Sequence, residues 1–209
     1  MHFMGDCHGK YKQYSRLIKQ YPGVVCVGDM GVGFRRLRGY RESEWAPNPP
    51  AKLMDKYGAR YIRGNHDNPE VCKRQKQCIK DGTVEETHLG KVMYVGGAFS
   101  IDHMWRTKGY DWWEDEELTH SEFYDMMDIY EATKPDVMVT HDCPSTVCDY
   151  MYKSQHRFDN SRTQQAFSSM FAMYEPALWV FGHHHVHFDK VIGRTRFVCL
   201  PELYVMEFS

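Results

Sequence analysis

Three times in its N-terminal third the chain runs from a short extended segment straight into a glycine followed by Asp or Asn, and two later apolar runs end in histidine. Met1 to Met4 leads into GDCHG, Val24 to Val27 into GDMG, and Arg60 to Arg63 into GNHDNP, while Asp136 to Thr140 stops at His141 and Leu178 to Phe181 at GHHHVH. Between these segments the spacing predicts helices. Tyr11, Tyr14, Leu17 and Ile18 recur at helical period, Ala51 to Tyr57 reads as helical, Pro69 is placed to open a helix, and a further helix spans Thr163 to Tyr174. Thr119 with Glu122 forms a capping box ahead of Phe123, Met126, Met127 and Tyr130. Val92 to Val95 reads as another strand, and Gly193-Arg194 as the turn of a hairpin between His187 to Ile192 and Thr195 to Leu200, with a last strand at Leu203 to Phe208. Strands alternating with helices predict an α/β sandwich with a partly antiparallel C-terminal portion, whose sites gather at the carboxyl ends of strands. With no repeat or linker in view, residues 1–209 read as one domain. The aromatic and acidic stretch within 102–118 reads as an insertion or lid, and Trp45 to Pro50 as a rigid loop.

A net charge of -2 gives no bulk electrostatic argument for nucleic acid, although Arg35, Arg36, Arg38 and Arg41 crowd one stretch that could meet phosphates. The seven scattered cysteines lack the paired spacing of a zinc ribbon and fit a reducing compartment. No window approaches the roughly 20 apolar residues that span a bilayer, and no basic start precedes an apolar core, so the expectation is a cytoplasmic protein without a membrane partner.

The five strand ends deliver Asp6 and His8, Asp29, Asn65 with His66 and Asp67, His141, and His183 with His185. All offer oxygen or nitrogen, a set that suits manganese, iron, zinc or nickel better than calcium, and the lack of cysteine argues against a purely structural zinc site. Asp6 and His8, like His183 and His185, are two apart, so an extended backbone would point each pair one way. Gly5, Gly28, Gly64 and Gly182 each precede a ligand, where a bare backbone can turn sharply and admit substrate.

Through GDCHG, GDMG, GNHD, the lone His of VTHD and GHHH, in that order, the sequence resembles the calcineurin-like metallophosphoesterases. GGAFSID and WWEDEE further resemble small bacterial and phage members. The resemblance implies a four-layered αββα sandwich of mixed sheets and two divalent metal ions, manganese first among the alternatives iron, zinc and nickel. Asp6, His8 and His185 would hold one metal, Asn65, His141 and His183 the other, with Asp29 bridging. A bridging hydroxide would then attack a phosphomonoester or a small phosphodiester such as a nucleotide, with His66 as general acid or charge stabiliser.

Many members carry Asp-Arg-Gly after the second motif, whereas this chain reads GDMGVGF, with Val32 where that Asp would orient the catalytic histidine. Asp67, Asp102, Arg63 and Arg106 are the candidate substitutes, and Asn65, Arg63 and Arg106 the candidate phosphate contacts. Trp112 and Trp113 read as lid packing, Glu114 to Glu117 as a solvated face, Cys7 and Cys143 as buried structural thiols, and His184 as turned away from the site. The alternatives are a nuclease on single-stranded nucleic acid and a non-catalytic metal-binding scaffold.

Overall fold

A computed structural model describes residues 1–34, 48–153 and 161–209. The cluster Arg35, Arg36, Arg38 and Arg41, the start of the loop at Trp45, and His156 lie outside the described residues. In chain order the first half comprises β1 (His2–Met4), α1 (Tyr11–Gln20), β2 (Val25–Cys26), α2 (Ala51–Tyr57), β3 (Arg60–Tyr61), α3 (Pro69–Arg74), β4 (Thr83–Thr87) and β5 (Gly90–Val95). The second half adds α4 (His120–Thr133), β6 (Val137–Thr140), α5 (Ser145–Tyr152), α6 (Arg162–Met173), β7 (Leu178–Phe181), β8 (Phe188–Ile192), β9 (Thr195–Cys199) and β10 (Val205–Glu207).

The strands form two mixed sheets, ordered β10-β1-β2-β3 and β4-β5-β6-β7-β9-β8. Strands β1, β2 and β3 are parallel, as are β5, β6, β7 and β9, so their carboxyl ends point the same way within each sheet. Strands β10, β4 and β8 pair antiparallel at the edges.

The period of two along each strand divides the core into three apolar layers. Phe3, Val25, Val92, Tyr94, Val137, Val139 and Val180 fill the space between the sheets. Their neighbours Met93, Val95, Met138, Trp179 and Phe181 face the other way, onto Met126 and Tyr130 of α4, Val147 of α5, and Phe167 and Met170 of α6. On the far side Met4, Cys26 and Tyr61 meet Tyr11, Tyr14 and Ile18 of α1, Met54 of α2 and Cys72 of α3. Helix, sheet, sheet, helix is the four-layered sandwich that the motifs implied.

Local chemistry sets several helix starts. The Asn68 side chain accepts from the amides of Glu70 and Val71 with Pro69 in the first turn, and the predicted Thr119–Glu122 capping box is present in both directions. Two elements were not predicted. Strand β4 is a polar edge, TVEET, that lacks an apolar period and is held by pairing with β5 and by the Arg60–Glu85 ion pair. Helix α5 buries only Val147 and Cys148, too narrow a stripe to stand out.

The stretch 102–118 holds no strand or helix beyond a single 3-10 turn, His103–Trp105. Trp113 is buried and packs near Phe34. The acidic run is a solvated face only at Glu114, with Asp115 half-buried and Glu116 and Glu117 turned inward. The Glu116 carboxylate accepts from the Ser100 amide and hydroxyl, and Glu117 accepts from the Ser161 hydroxyl and the Thr163 amide, so both are buried. Burial pushes the Glu116 carboxyl up to about 7.

Trp179 is fully buried among Phe167, Phe171 and Phe197, and its indole N–H donates to Thr140 Oγ1 at 2.8 Å. Trp179→Ala removes that packing and the donor together, and is expected to lower unfolding free energy by about 3–5 kcal/mol, read as a lower denaturant midpoint at unchanged slope.

Candidate metal centre

Asp6 and His8 follow β1, Asp29 follows β2, Asn65 follows β3, His141 follows β6, and His183 and His185 follow β7, so the parallel strands of both sheets bring them to one place. Ligand atoms of Asp6, His8, Asp29 and His185 lie within 4.8 Å of one another, as do those of Asp29, His141 and His183. Asp29 belongs to both groups. Asn65 Oδ1 lies 3.1 Å from His141 Nε2, and its amide N donates to Ser100 Oγ at 3.0 Å, which turns the carbonyl toward the second group. All seven predicted ligands are therefore gathered together.

The first group is tight: His8 Nε2 lies 2.8 Å from His185 Nε2 and 3.7 Å from Asp29 Oδ2, and His185 Nε2 lies 3.1 Å from Asp6 Oδ2. Asp6 Oδ1 is buried with no hydrogen-bond partner, an arrangement that costs free energy unless a cation or donor satisfies it. In the second group His141 Nδ1 donates to the Val27 carbonyl at 2.8 Å, which aims Nε2 at Asp29 Oδ1, 3.3 Å away. Burial opposes a charged His141, yet the Asp29 and Asp6 carboxylates hold its pKa up to about 10. Burial also opposes a charged Asp29, but His141 and His66 hold its carboxyl well below the usual range. A field that retains a proton there also favours a divalent cation, so the donor set and the orphaned oxygen fit such ions.

The pairs do not converge by strand alternation. His8, Asp29, His183 and His185 have φ of 47°, 45°, 63° and 55°, four of the seven described non-glycine residues in the left-handed region. Such conformations cost about 1 kcal/mol or more each, and their concentration here marks a site rather than a relaxed turn. The glycines also serve another purpose than the one expected of them. A Cβ on Gly28 would lie 2.1 Å from His141 Nδ1, one on Gly64 2.0 Å from Asp29 Oδ1, and one on Gly182 2.2 Å from Asp6 Oδ1, so they leave room for neighbouring ligands.

His66 donates its backbone N–H to Asp29 Oδ1 at 2.7 Å, and its ring stacks on Phe34 at 4.8 Å with planes 3° apart. Its Nε2 lies 2.7 Å from Arg106 Nη2, which also pairs with Asp102 Oδ1 at 2.7 Å. A guanidinium only donates, so Nε2 accepts and the ring proton sits on Nδ1. Burial, reinforced by Arg106, pushes the His66 pKa down to about 4. Of the four candidate substitutes, Arg106 thus touches the ring and Asp102 touches Arg106. Asp67 instead accepts the amides of Met30, Gly31, Val32 and Gly64 and ties two ligand loops together, while Val32 is buried in the apolar layer. Arg63 is also buried elsewhere, held by Asp81 and the carbonyls of Asp115 and Glu116.

These groups open on a cavity of about 330 Å³ lined also by His66, Arg106, Tyr152, Gln164 and His184. Cys7 and Cys143 are buried in the apolar layers as expected. Phe34 and Ser100 had no sequence signal of a role, although Ser100 lies within GGAFSID, at the end of β5.

A family model described as calcineurin-like phosphoesterase matches residues 2–187. No curated protein matches the chain in sequence. Among solved structures, a Staphylococcus aureus protein provisionally named a 5′-nucleotidase, in complex with α-ketoglutarate, aligns at 12% identity and TM-score 0.52 over 98% of this chain, which spans only 49% of that one. A predicted phosphoesterase from Streptococcus pneumoniae aligns at 16% identity and TM-score 0.42, over 96% of this chain and 71% of that one. A phosphopantetheinyl hydrolase from Mycobacterium tuberculosis aligns at 12% identity and TM-score 0.47, over 96% and 89%. At these identities the first likeness speaks for fold alone.

Because a methyl group at residue 182 would collide with Asp6, Gly182→Ala is expected to lower manganese affinity by about tenfold or more, the scale seen for disturbed metal surroundings, measured by calorimetric titration.

Proposed function

The chain belongs to the calcineurin-like phosphoesterases, and from that premise we propose that it hydrolyses a phosphomonoester or a small phosphodiester with two divalent cations. The observation that carries this reading is Asp29, whose carboxylate is shared by two donor groups of otherwise different residues. Asp6, His8 and His185 would hold one cation and Asn65, His141 and His183 the other, with manganese the first choice and iron, zinc or nickel also compatible with these donors. Bound there, the pair would supply fixed positive charge to the phosphoryl oxygens and a water acidic enough to attack phosphorus.

The chain's own groups do the rest. Asn65 has its carboxamide oriented by the hydrogen bond it donates to Ser100, and the backbone N–H of His66 holds Asp29 in place. His66, braced on Phe34 and with its ring proton on Nδ1, would offer that N–H to the leaving oxygen as acid or as stabiliser of its charge, and Arg106 would supply the cation that grips phosphate. Because Asp102 and Arg106 both come from 102–118, we read that segment as a lid that completes the site, within one domain over 1–209. Arg63 braces the same lid through Asp115 and Glu116 rather than facing the cavity. The likeness to a protein named a 5′-nucleotidase supports trying nucleotides first. Free thiols at all seven cysteines support a reducing, cytoplasmic setting, and among the described residues no helix is long and apolar enough to cross a membrane.

Stripping divalent cations with a chelator is expected to abolish turnover, and added manganese to restore it. A panel of phosphomonoesters, cyclic nucleotides, dinucleotides and single-stranded oligonucleotides ranks the substrate classes. A panel with no turnover in manganese would leave the scaffold reading. His66→Ala is expected to slow an alkyl phosphate by about 10²–10⁴, and an activated aryl phosphate, whose leaving group needs no proton, far less. Equal losses on both esters would remove His66 from the acid role.

A further inference from the structure

Beside the two groups that share Asp29 lies a third cluster, Asp142, Cys143 and His184, whose ligand atoms also fall within 4.8 Å of one another. We propose that Asp142, Cys143, His184 and Gln164 form a separate site for a thiophilic, zinc-class cation. It stands on geometry alone and does not depend on the phosphoesterase reading.

Distances are the first support. His184 Nε2 lies 3.1 Å from Asp142 Oδ1 and 3.7 Å from Cys143 Sγ. Tetrahedral zinc, with bonds of about 2.0–2.1 Å to nitrogen or oxygen and about 2.3 Å to sulfur, separates nitrogen from oxygen by about 3.3 Å and nitrogen from sulfur by about 3.5 Å. Both distances from His184 are those of one coordination sphere, and the third pair lies within the same 4.8 Å.

The second support is independent of them. Gln164 is 3% exposed, and its amide is aimed at this cluster, with Nε2 3.2 and 3.0 Å from the two Asp142 oxygens. Its Oε1 is buried with no hydrogen-bond partner. The only other orphaned buried side-chain oxygens among the described residues are two tyrosine hydroxyls and Asp6 Oδ1, the last of these in the first metal group. A cation on Asp142 reverses the preference of the amide: rotation by half a turn brings Oε1 to the cation and completes a set of one sulfur, one nitrogen and two oxygens. On the outer side of the imidazole, Tyr152 OH lies 3.1 Å from His184 Nδ1, where it can accept the Nδ1–H once Nε2 binds metal.

The placement gives the site a purpose. Asp142 follows His141, and His184 stands between His183 and His185, so one cation would pin the loops that carry three of the proposed catalytic ligands. Loading releases the Cys143 thiol proton to solvent and forms a thiolate–metal bond, with no change of oxidation state.

Cobalt separates this site from its neighbours, because neither of the other two groups contains sulfur. Full-length protein stripped of metal and titrated with cobalt is expected to develop a near-ultraviolet thiolate-to-cobalt charge-transfer band. The band should disappear in Cys143→Ser and weaken in Gln164→Leu. Zinc content by elemental analysis should fall by about one ion per chain in Cys143→Ser. No band in folded wild-type protein, checked by circular dichroism, overturns the proposal whatever the variants do. A band that survives Cys143→Ser assigns the thiolate elsewhere and overturns it equally. Loss of phosphatase turnover alongside an intact band would count against the proposed function and leave this site standing.

Discussion

Negative charge buried among imidazoles is the constraint on which the rest of the molecule depends. Asp6 and Asp29 are 0% and 1% exposed, close to His8, His141 and His185. Taking a carboxylate out of water costs several kcal/mol unless positive charge and hydrogen bonds replace the water. Part of that charge falls to His141, whose pKa the Asp29 and Asp6 carboxylates hold up. Two cations, held as proposed, would supply it better. The left-handed backbone at four of the candidate ligands and the cramped glycines are local costs that repay themselves only when these groups must meet.

The sandwich is suited to that meeting. Parallel strands in each sheet end on one side, so short connections from β1, β2, β3, β6 and β7 all discharge their polar residues into one crevice. The apolar layers behind it anchor the strand ends by Phe3, Val25, Val139 and Val180 between the sheets. Asp67 then locks the loops after β2 and β3 to each other through four amide hydrogen bonds. Rigid positioning of donors before a cation arrives lowers the cost of gathering them.

Much of this was legible in the residues. Ligand types, their order and their place after predicted strands were readable because a turn after a buried strand must be built from glycine and polar groups. Helix α2 and strand β7 fall where their patterns put them, since each reads plainly against its flanks. What escaped is long-range. Strand β4 has no period of its own and depends on β5. The burial of Glu116 and Glu117 depends on Ser100 and on the start of α6, far away in the chain, so a local reading saw only a run of acids. The Arg106–His66 contact joins residues 40 apart in sequence. No spacing rule connects them, and the substitute for the missing Asp-Arg-Gly could be narrowed only to a handful of candidates. The pairing of Asp6 with His8 was anticipated on a strand argument, whereas left-handed turns produce it.

Anomalous diffraction from a crystal grown with manganese addresses the shared carboxylate most directly. The account predicts two manganese peaks in the cleft, one beside Asp6, His8 and His185 and one beside Asn65, His141 and His183, with Asp29 bonded to both. A single peak, or two peaks of which Asp29 touches at most one, would contradict it.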